Sequence, residues 1–237
     1  MNTNVTRSRF HTFFALAVAL LVGVGFFRTF YARPLFHLPP LPSLYMLHGI
    51  VFTTWLVLFV TQTRLIAARK VAVHRKLGMA GAVLVAIIII VGVITALKSA
   101  AIPQPRPLGM SSQQFSIVAL TSITLFAISI TAALTLRRKP EYHRRLMVLA
   151  MISVLGPPVA RLIMLFHAGT HFLVIQTAVP ALLLLWCLIN DWRKQHLIHP
   201  VYAIGGAVIV LSWPLRIAIA QTDAWISISG WLMQHAS

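Results

Sequence analysis

Seven apolar stretches of roughly 18 to 25 residues decide what this sequence can fold into. A helix rises 1.5 Å per residue, so about 20 apolar residues cross the ~30 Å hydrocarbon layer of a membrane. Charged residues make up only 10% of the chain, against about 25% in soluble domains. The pattern excludes a water-soluble domain built on one core. It predicts an all-α, polytopic membrane helical bundle that forms a single domain over residues 1–237.

The lengths and positions of the apolar stretches place about seven transmembrane helices. We expect them near residues 10–31, 44–67, 74–98, 114–137, 143–167, 171–190 and 200–221. The fourth span carries seven serines and threonines, which allow close helix contacts in lipid, so it is predicted to lie inside the bundle. The fifth span contains Gly156-Pro157-Pro158, and proline interrupts helical hydrogen bonding.

The basic residues predict how the chain is oriented. Of 20 lysines and arginines, fourteen fall in the N-terminal tail and in alternate loops on one side of the membrane. Four fall on the other side, namely Arg28, Arg33, Lys98 and Arg106. Basic loops stay cytoplasmic, so the N-terminus is predicted inside and the C-terminus outside. The net charge of +17 is interpreted as attraction of the basic loops to an anionic cytoplasmic leaflet of the lipid bilayer. Nucleic acid is excluded as a partner.

The remaining two basic residues, Arg161 and Arg216, lie inside apolar spans. A charge within a membrane span is costly, so each arginine is predicted to have a partner and a function. The chain has only three acidic residues, Glu141, Asp191 and Asp223. Of these, only Asp223 lies close in sequence to one of the two arginines, Arg216. One hypothesis is therefore that the arginines bind an anionic group, which could belong to haem propionates, a lipid phosphate or an anionic substrate. The alternative is that both side chains reach outward or bond to carbonyl groups released by the prolines.

Histidines supply the second group of candidate binding residues, because histidine is the usual axial ligand of haem iron in helical bundles. The candidates for haem iron in the outer half of the membrane are His48, His167 and His171. The candidates at the inner ends of helices are His74 and His143. Gly49 beside His48 would leave room for a flat cofactor. For each histidine the alternative is an ordinary residue of the membrane interface. Zinc and carboxylate-bridged metal sites are excluded, because the spans lack acids and thiolates.

A short pattern occurs twice in the chain. Lys70-x-x-x-His74-Arg75-Lys76-Leu77 recurs 69 residues later as Lys139-x-x-x-His143-Arg144-Arg145-Leu146. Each copy is predicted to open a helix. The two copies represent either a duplicated helix hairpin or two basic helix starts of the kind that cytoplasmic loops favour.

These motifs carry a resemblance to known proteins. His48-Gly49, His74-Arg75-x-x-Gly78, His143-Arg144-Arg145-x-Met147 and the later Arg161 together resemble an uncharacterised family of bacterial integral membrane proteins, known as a domain of unknown function. The resemblance covers roughly residues 44 to 166 and implies a helical protein of the bacterial inner membrane. It groups His48, His74, His143 and Arg161 as a set. A looser likeness to b-type cytochromes rests on histidines at both faces of a helical bundle.

Three functions follow from these observations. The first is a redox protein that binds haem b or a quinone through His48, His167, His171, Arg161 and Arg216. The second is a non-catalytic membrane subunit or assembly factor of a larger complex. The third is an enzyme or carrier that binds an anionic lipid or a small anion through its arginines.

Overall fold

The computed structural model describes residues 3–235, with side chains from Phe10 onward. Within this range every regular element is a helix and no strand occurs, which confirms the predicted all-α class. The α-helices are α1 (Thr3–Phe26), α2 (Ser43–Ala67), α3 (Val71–Ala101), α4 (Ser112–Thr135), α5 (Pro140–Ser153), α6 (Gly156–Leu165), α7 (Phe172–Gln195), α8 (Pro200–Ala220) and α9 (Asp223–His235).

The predicted spans correspond to observed helices. Six helical segments are long and apolar enough to cross a membrane, and α5 with α6 makes a seventh if the bent pair is one span. The chain is thus an integral membrane helical protein. The single domain over residues 1–237 and the predicted orientation of the termini remain predictions.

The fifth span is broken where the sequence places its prolines. Helix α5 ends at Ser153, α6 begins at Gly156, and the two axes differ by 41°. Pro157 and Pro158 cannot donate to the preceding turn but fit the first turn of a new helix, where those donors have no helical partner.

Helix α9 was not predicted from the sequence. It has 13 residues, too few to cross the hydrocarbon layer. Thr222 Oγ1 accepts a hydrogen bond from the Trp225 backbone N–H at 3.2 Å and caps its first turn. A second unpredicted feature is a π-helical turn, Phe27–Tyr31, directly after α1.

The chain divides into two compact units, residues 1–91 and residues 92–237. In the first unit α1 packs against α2. Gly81 of α3 lies against Leu58 of α2, where a β-carbon on the glycine would stand 2.9 Å from the leucine Cδ2.

In the second unit α4 packs against α5, α8 and α9. Among the six single-helix candidate spans it has the largest share of buried residues, which confirms its predicted interior position. Helix α8 also approaches its neighbours closely at Gly205 and Gly206, which lie against Leu149 of α5 and Leu184 of α7. These helices carry both polar centres described next.

Candidate functional site

The first polar centre surrounds Arg216 of α8, which is only 2% exposed. Its Nη1 donates to Ser122 Oγ at 2.9 Å and to the Val118 carbonyl oxygen at 3.4 Å, both on α4. Its Nη2 donates to Ser212 Oγ at 2.8 Å. The guanidinium carbon lies 4.7 Å from the centre of the Trp213 ring. Residues 212, 213 and 216 share one helix face because three- and four-residue spacings align on a helix.

Every contact that Arg216 makes is with a neutral group. Within residues 3–235 its Nε–H, which is buried, has no acceptor, and the ion pairs of that range do not include Arg216. Asp223, the acid that the sequence placed nearest, is exposed in the first turn of α9 and forms no ion pair in the same range. The centre therefore holds a buried positive charge with no compensating carboxylate.

Gln176 of α7 connects the broken span to this centre. It is 1% exposed, and its Nε2 donates to the Gly156 carbonyl oxygen at 3.1 Å. Its Oε1 is buried and accepts no hydrogen bond from the part of the chain that the structure describes. Two ring carbons of Trp213 lie 3.1 Å from the point where a β-carbon on Gly156 would stand. Trp213 thus contacts the start of α6 at its ring edge and Arg216 across its face.

The second polar centre is built around Arg145 of α5, which is fully buried. Its Nε donates to Asp191 Oδ2 of α7 at 2.7 Å, and its Nη1 donates to Glu141 Oε2 at 2.7 Å. Its guanidinium carbon lies 5.6 Å from the centre of the Tyr202 ring of α8. Glu141 also pairs with Arg144. Two of the three acids in the sequence are therefore engaged here.

Sequence reasoning missed this second centre, because it counted Arg145 as an ordinary loop charge. The available signals were the four-residue spacing of Glu141 and Arg145 on one helix and the scarcity of acids elsewhere. The repeat also diverges at this position, since Arg75 and Lys76 are exposed in the first copy whereas Arg145 is buried in the second. Both copies do begin a helix, as predicted.

Two of the predicted histidines lie in the first unit. His48 is half-buried and stacks on Phe52, with ring centres 4.4 Å apart. The room predicted beside Gly49 is filled, because a β-carbon there would stand 2.1 Å from the Phe30 ring. His74 lies in the first turn of α3, and its carbonyl oxygen accepts from Gln62 Nε2 at 3.3 Å.

The other predicted residues lie in the second unit. His143 Nδ1 donates to the Ala133 carbonyl oxygen at 2.8 Å and joins α5 to α4. His167 and His171 are exposed in the link between α6 and α7, where His167 adopts a left-handed backbone conformation with φ of 52°. Arg161 is half-buried and donates to the Pro157 carbonyl oxygen at 3.1 Å within α6. This acceptor is not one of the carbonyl groups that Pro157 and Pro158 release, which belong to residues 153 and 154, so both alternatives for Arg161 stay predictions.

The helices α5, α7 and α8 line a small apolar pocket in the second unit. It has essentially no room for a water molecule, whereas ligand pockets have roughly 300–1,000 Å³. It is lined by Leu149, Ile152, Pro180, Leu184, Gly206, Ile209 and Val210. Over the described range, residues 3–235, no three or more histidine, cysteine or acidic side chains are arranged to hold a metal ion. A haem needs only two ligands, so haem binding by His48, His167 or His171 stays a prediction.

No family model, curated protein or solved structure matches this chain. Several hypotheses from the sequence therefore stay predictions. They are the resemblance to the uncharacterised membrane family, the location in the bacterial inner membrane, the quinone role, the lipid partner and the hypothesis of a subunit of a larger complex. The structure shows an integral membrane helical protein with two buried arginine centres. One of them, at Arg216, has no carboxylate partner among residues 3–235.

Proposed function

We propose that this protein is a multi-pass protein of the bacterial inner membrane that binds an anionic group at Arg216. The anion is a small free ion, the phosphate of an anionic lipid or a haem propionate. All three ligands offer the group that arginine recognises, which is a negatively charged acceptor of N–H hydrogen bonds.

The observation that carries the proposal is the state of the Arg216 guanidinium. It is 2% exposed, its three oxygen partners are neutral, and its Nε–H has no acceptor within residues 3–235. An arginine at the centre of a membrane span costs about 2.5–3.5 kcal/mol on the most lenient scale, and Arg216, four residues before the end of α8, costs less than that. A bound anion would offset part of this cost and would accept the spare N–H group.

The acids of the chain are poorly placed to supply this charge. Asp191 and Glu141 bond to Arg145, and Asp223 is exposed at the start of α9. The contrast between the two arginine centres supports the proposal. One buried arginine has two carboxylates, and the other has two hydroxyls and a carbonyl.

The broken span gives secondary support. Gly156 begins α6, and it contacts both Trp213 and Gln176 beside the Arg216 centre. Interrupted helices near ligand sites are common in membrane transporters, because the interruption exposes backbone groups inside the protein. Both a transporter and a binding subunit fit this architecture.

The test compares Arg216→Gln with Arg161→Gln in detergent-purified protein. Thermal unfolding is measured as chloride, nitrate or sulfate replaces gluconate at constant ionic strength. The proposal predicts that one anion stabilises the wild type, by about 2.7 kcal/mol when its concentration is 100 times Kd. Arg216→Gln loses the response and Arg161→Gln keeps it, because Arg161 is only half-buried whereas Arg216 is 2% exposed.

Two further measurements identify the molecule that bears the anionic group. Native mass spectrometry detects retained phosphatidylglycerol, and the visible spectrum after addition of haemin detects haem. If Arg216→Gln loses one of these ligands and Arg161→Gln keeps it, the anionic group belongs to that ligand. If Arg216→Gln and the wild type respond alike to small anions, lipid and haemin, the proposal is wrong.

A further inference from the structure

We infer that Trp225 of α9 supplies a second N–H donor to the anion at Arg216, so that the site lies between α4, α8 and α9. The ligand is then an acceptor-only anion, either a halide or a fully deprotonated oxyanion, free or on a lipid headgroup. This inference rests on the proposed function.

Helix α9 is fixed against the helices that form the Arg216 centre. It packs on α4 and α8. Gln113 Nε2 of α4 donates to the Ile226 carbonyl oxygen at 2.6 Å, and Thr222 Oγ1 accepts from the Trp225 backbone N–H at 3.2 Å. These bonds hold Trp225 at a defined position in the first turn of α9.

Trp225 and Arg216 contact the same group of buried residues. Trp225 packs against a cluster formed by Met110, Ile117, Val118, Trp213 and Ala220. Val118 accepts a hydrogen bond from Arg216, and Trp213 lies under its guanidinium. Trp225 thus packs against a cluster that includes two residues in contact with Arg216, although Trp225 and Arg216 belong to different helices.

Each of the two side chains has a buried N–H donor that lacks an acceptor in the part of the chain that the structure describes. Within residues 3–235, neither Trp225 Nε1 nor Arg216 Nε has a hydrogen-bond acceptor. A buried donor left without an acceptor costs about 1–3 kcal/mol, and more for a charged group. A single anion beside Val118 and Trp213 would satisfy both.

The chemistry of the donors restricts the ligand. The indole N–H and the guanidinium N–H groups only donate, so the bound atom has to be an acceptor. A cation would be repelled by Arg216, and a neutral hydroxyl would leave the charge uncompensated. The unpartnered Gln176 Oε1 lies on the Gly156 side of Trp213. Because that oxygen repels an anion, the ligand is placed toward Val118 and Trp225.

The experiment uses full-length protein with ¹⁵N-labelled tryptophan, in detergent and in nanodiscs. Trp225→Phe keeps an aromatic ring and removes the N–H donor. Trp231→Phe is the matched control, because Trp231 lies on the same helix and is 58% exposed. Chloride and nitrate are titrated against gluconate, and phosphatidylglycerol is varied against phosphatidylcholine.

The inference predicts that the Trp225 indole resonance shifts with saturation and that Arg216→Gln abolishes this shift. Trp225→Phe is expected to weaken binding about tenfold or more, as for loss of a hydrogen bond to a charged group, while Trp231→Phe binds as the wild type does. A response to phosphatidylglycerol alone supports the same two donors and assigns the anion to a lipid headgroup.

The contrary results separate the two proposals. If Trp225→Phe binds with wild-type affinity and Arg216→Gln does not bind, the inference about Trp225 is wrong and the proposed function stands. If Arg216→Gln binds every anion as well as the wild type does, both proposals are wrong.

Discussion

Arg145 and Asp191 form an ion pair that is almost completely withdrawn from solvent, with Arg145 Nε 2.7 Å from Asp191 Oδ2. The two residues stand 46 positions apart, and their contact joins the start of α5 to the end of α7. Tyr202 of α8 packs on the same guanidinium. The pair thus connects three helices at one end of the second unit.

Removing one member of this pair is expected to destabilise the fold strongly. Asp191→Ala leaves a fully buried guanidinium short of a carboxylate, and loss of a buried partner costs about 3–5 kcal/mol. The measurement is the free energy of unfolding in mild detergent titrated with sodium dodecyl sulfate.

Asp223→Ala is the control, because this exposed acid contributes less than about 1 kcal/mol at a helix start. The double variant Arg145→Met with Asp191→Leu is expected to recover most of the lost stability, since no buried charge remains at this centre. Equal stability of Asp191→Ala and Asp223→Ala would show that the pair is not structural.

Gly206 is expected to tolerate no side chain. A β-carbon there would stand 2.2 Å from Leu184 Cδ2 and 2.9 Å from its Cγ, and Leu184 is itself buried. Overpacking costs about 1–3 kcal/mol, so Gly206→Ala is expected to lower the unfolding free energy by that amount. Gly23→Ala is the control, because nothing lies within 4 Å of its β-position, and alanine there adds up to about 1 kcal/mol of helix propensity.

His199 is expected to make stability depend on pH. Its Nδ1 accepts a hydrogen bond from the Val201 backbone N–H at 3.2 Å and caps α8. Burial lowers the pKa of His199, and the nearby positive charge of Arg145 lowers it further, against the opposing carboxylates of Asp191 and Glu141. The neutral ring is the form that the fold favours.

Because the folded-state pKa lies below the unfolded one, the unfolded chain binds the additional proton and stability falls with decreasing pH. The stabilising contribution is present above the usual histidine pKa of about 6.5 and is lost as pH falls through the lower folded value. His199→Asn keeps a capping oxygen that does not titrate in this range. We expect unfolding free energies at pH 8 and pH 5 to differ less in this variant than in the wild type. An unchanged difference would contradict the role of His199.

The span pattern could be predicted from sequence because it depends on local properties, namely apolar length and proline. Helix α9 was missed because a 13-residue segment falls below the length of a span. Arg216 was recognised because a charge inside an apolar stretch is visible locally, whereas Arg145 stands beside Arg144 and bonds to Asp191 on another helix. Tertiary contacts of this kind have no short-range signature. The filling of the Gly49 position by Phe30 was unpredictable for the same reason.

The most direct test of the central claim is an anomalous-scattering map from lipid-exchanged protein crystallised with bromide. We predict a bromide peak within hydrogen-bond distance of Arg216 Nε, on the side of Val118 and Trp225, that is absent from Arg216→Gln crystals. Bromide peaks confined to the basic loops, with neither an ion nor a lipid phosphate at Arg216, would contradict the account.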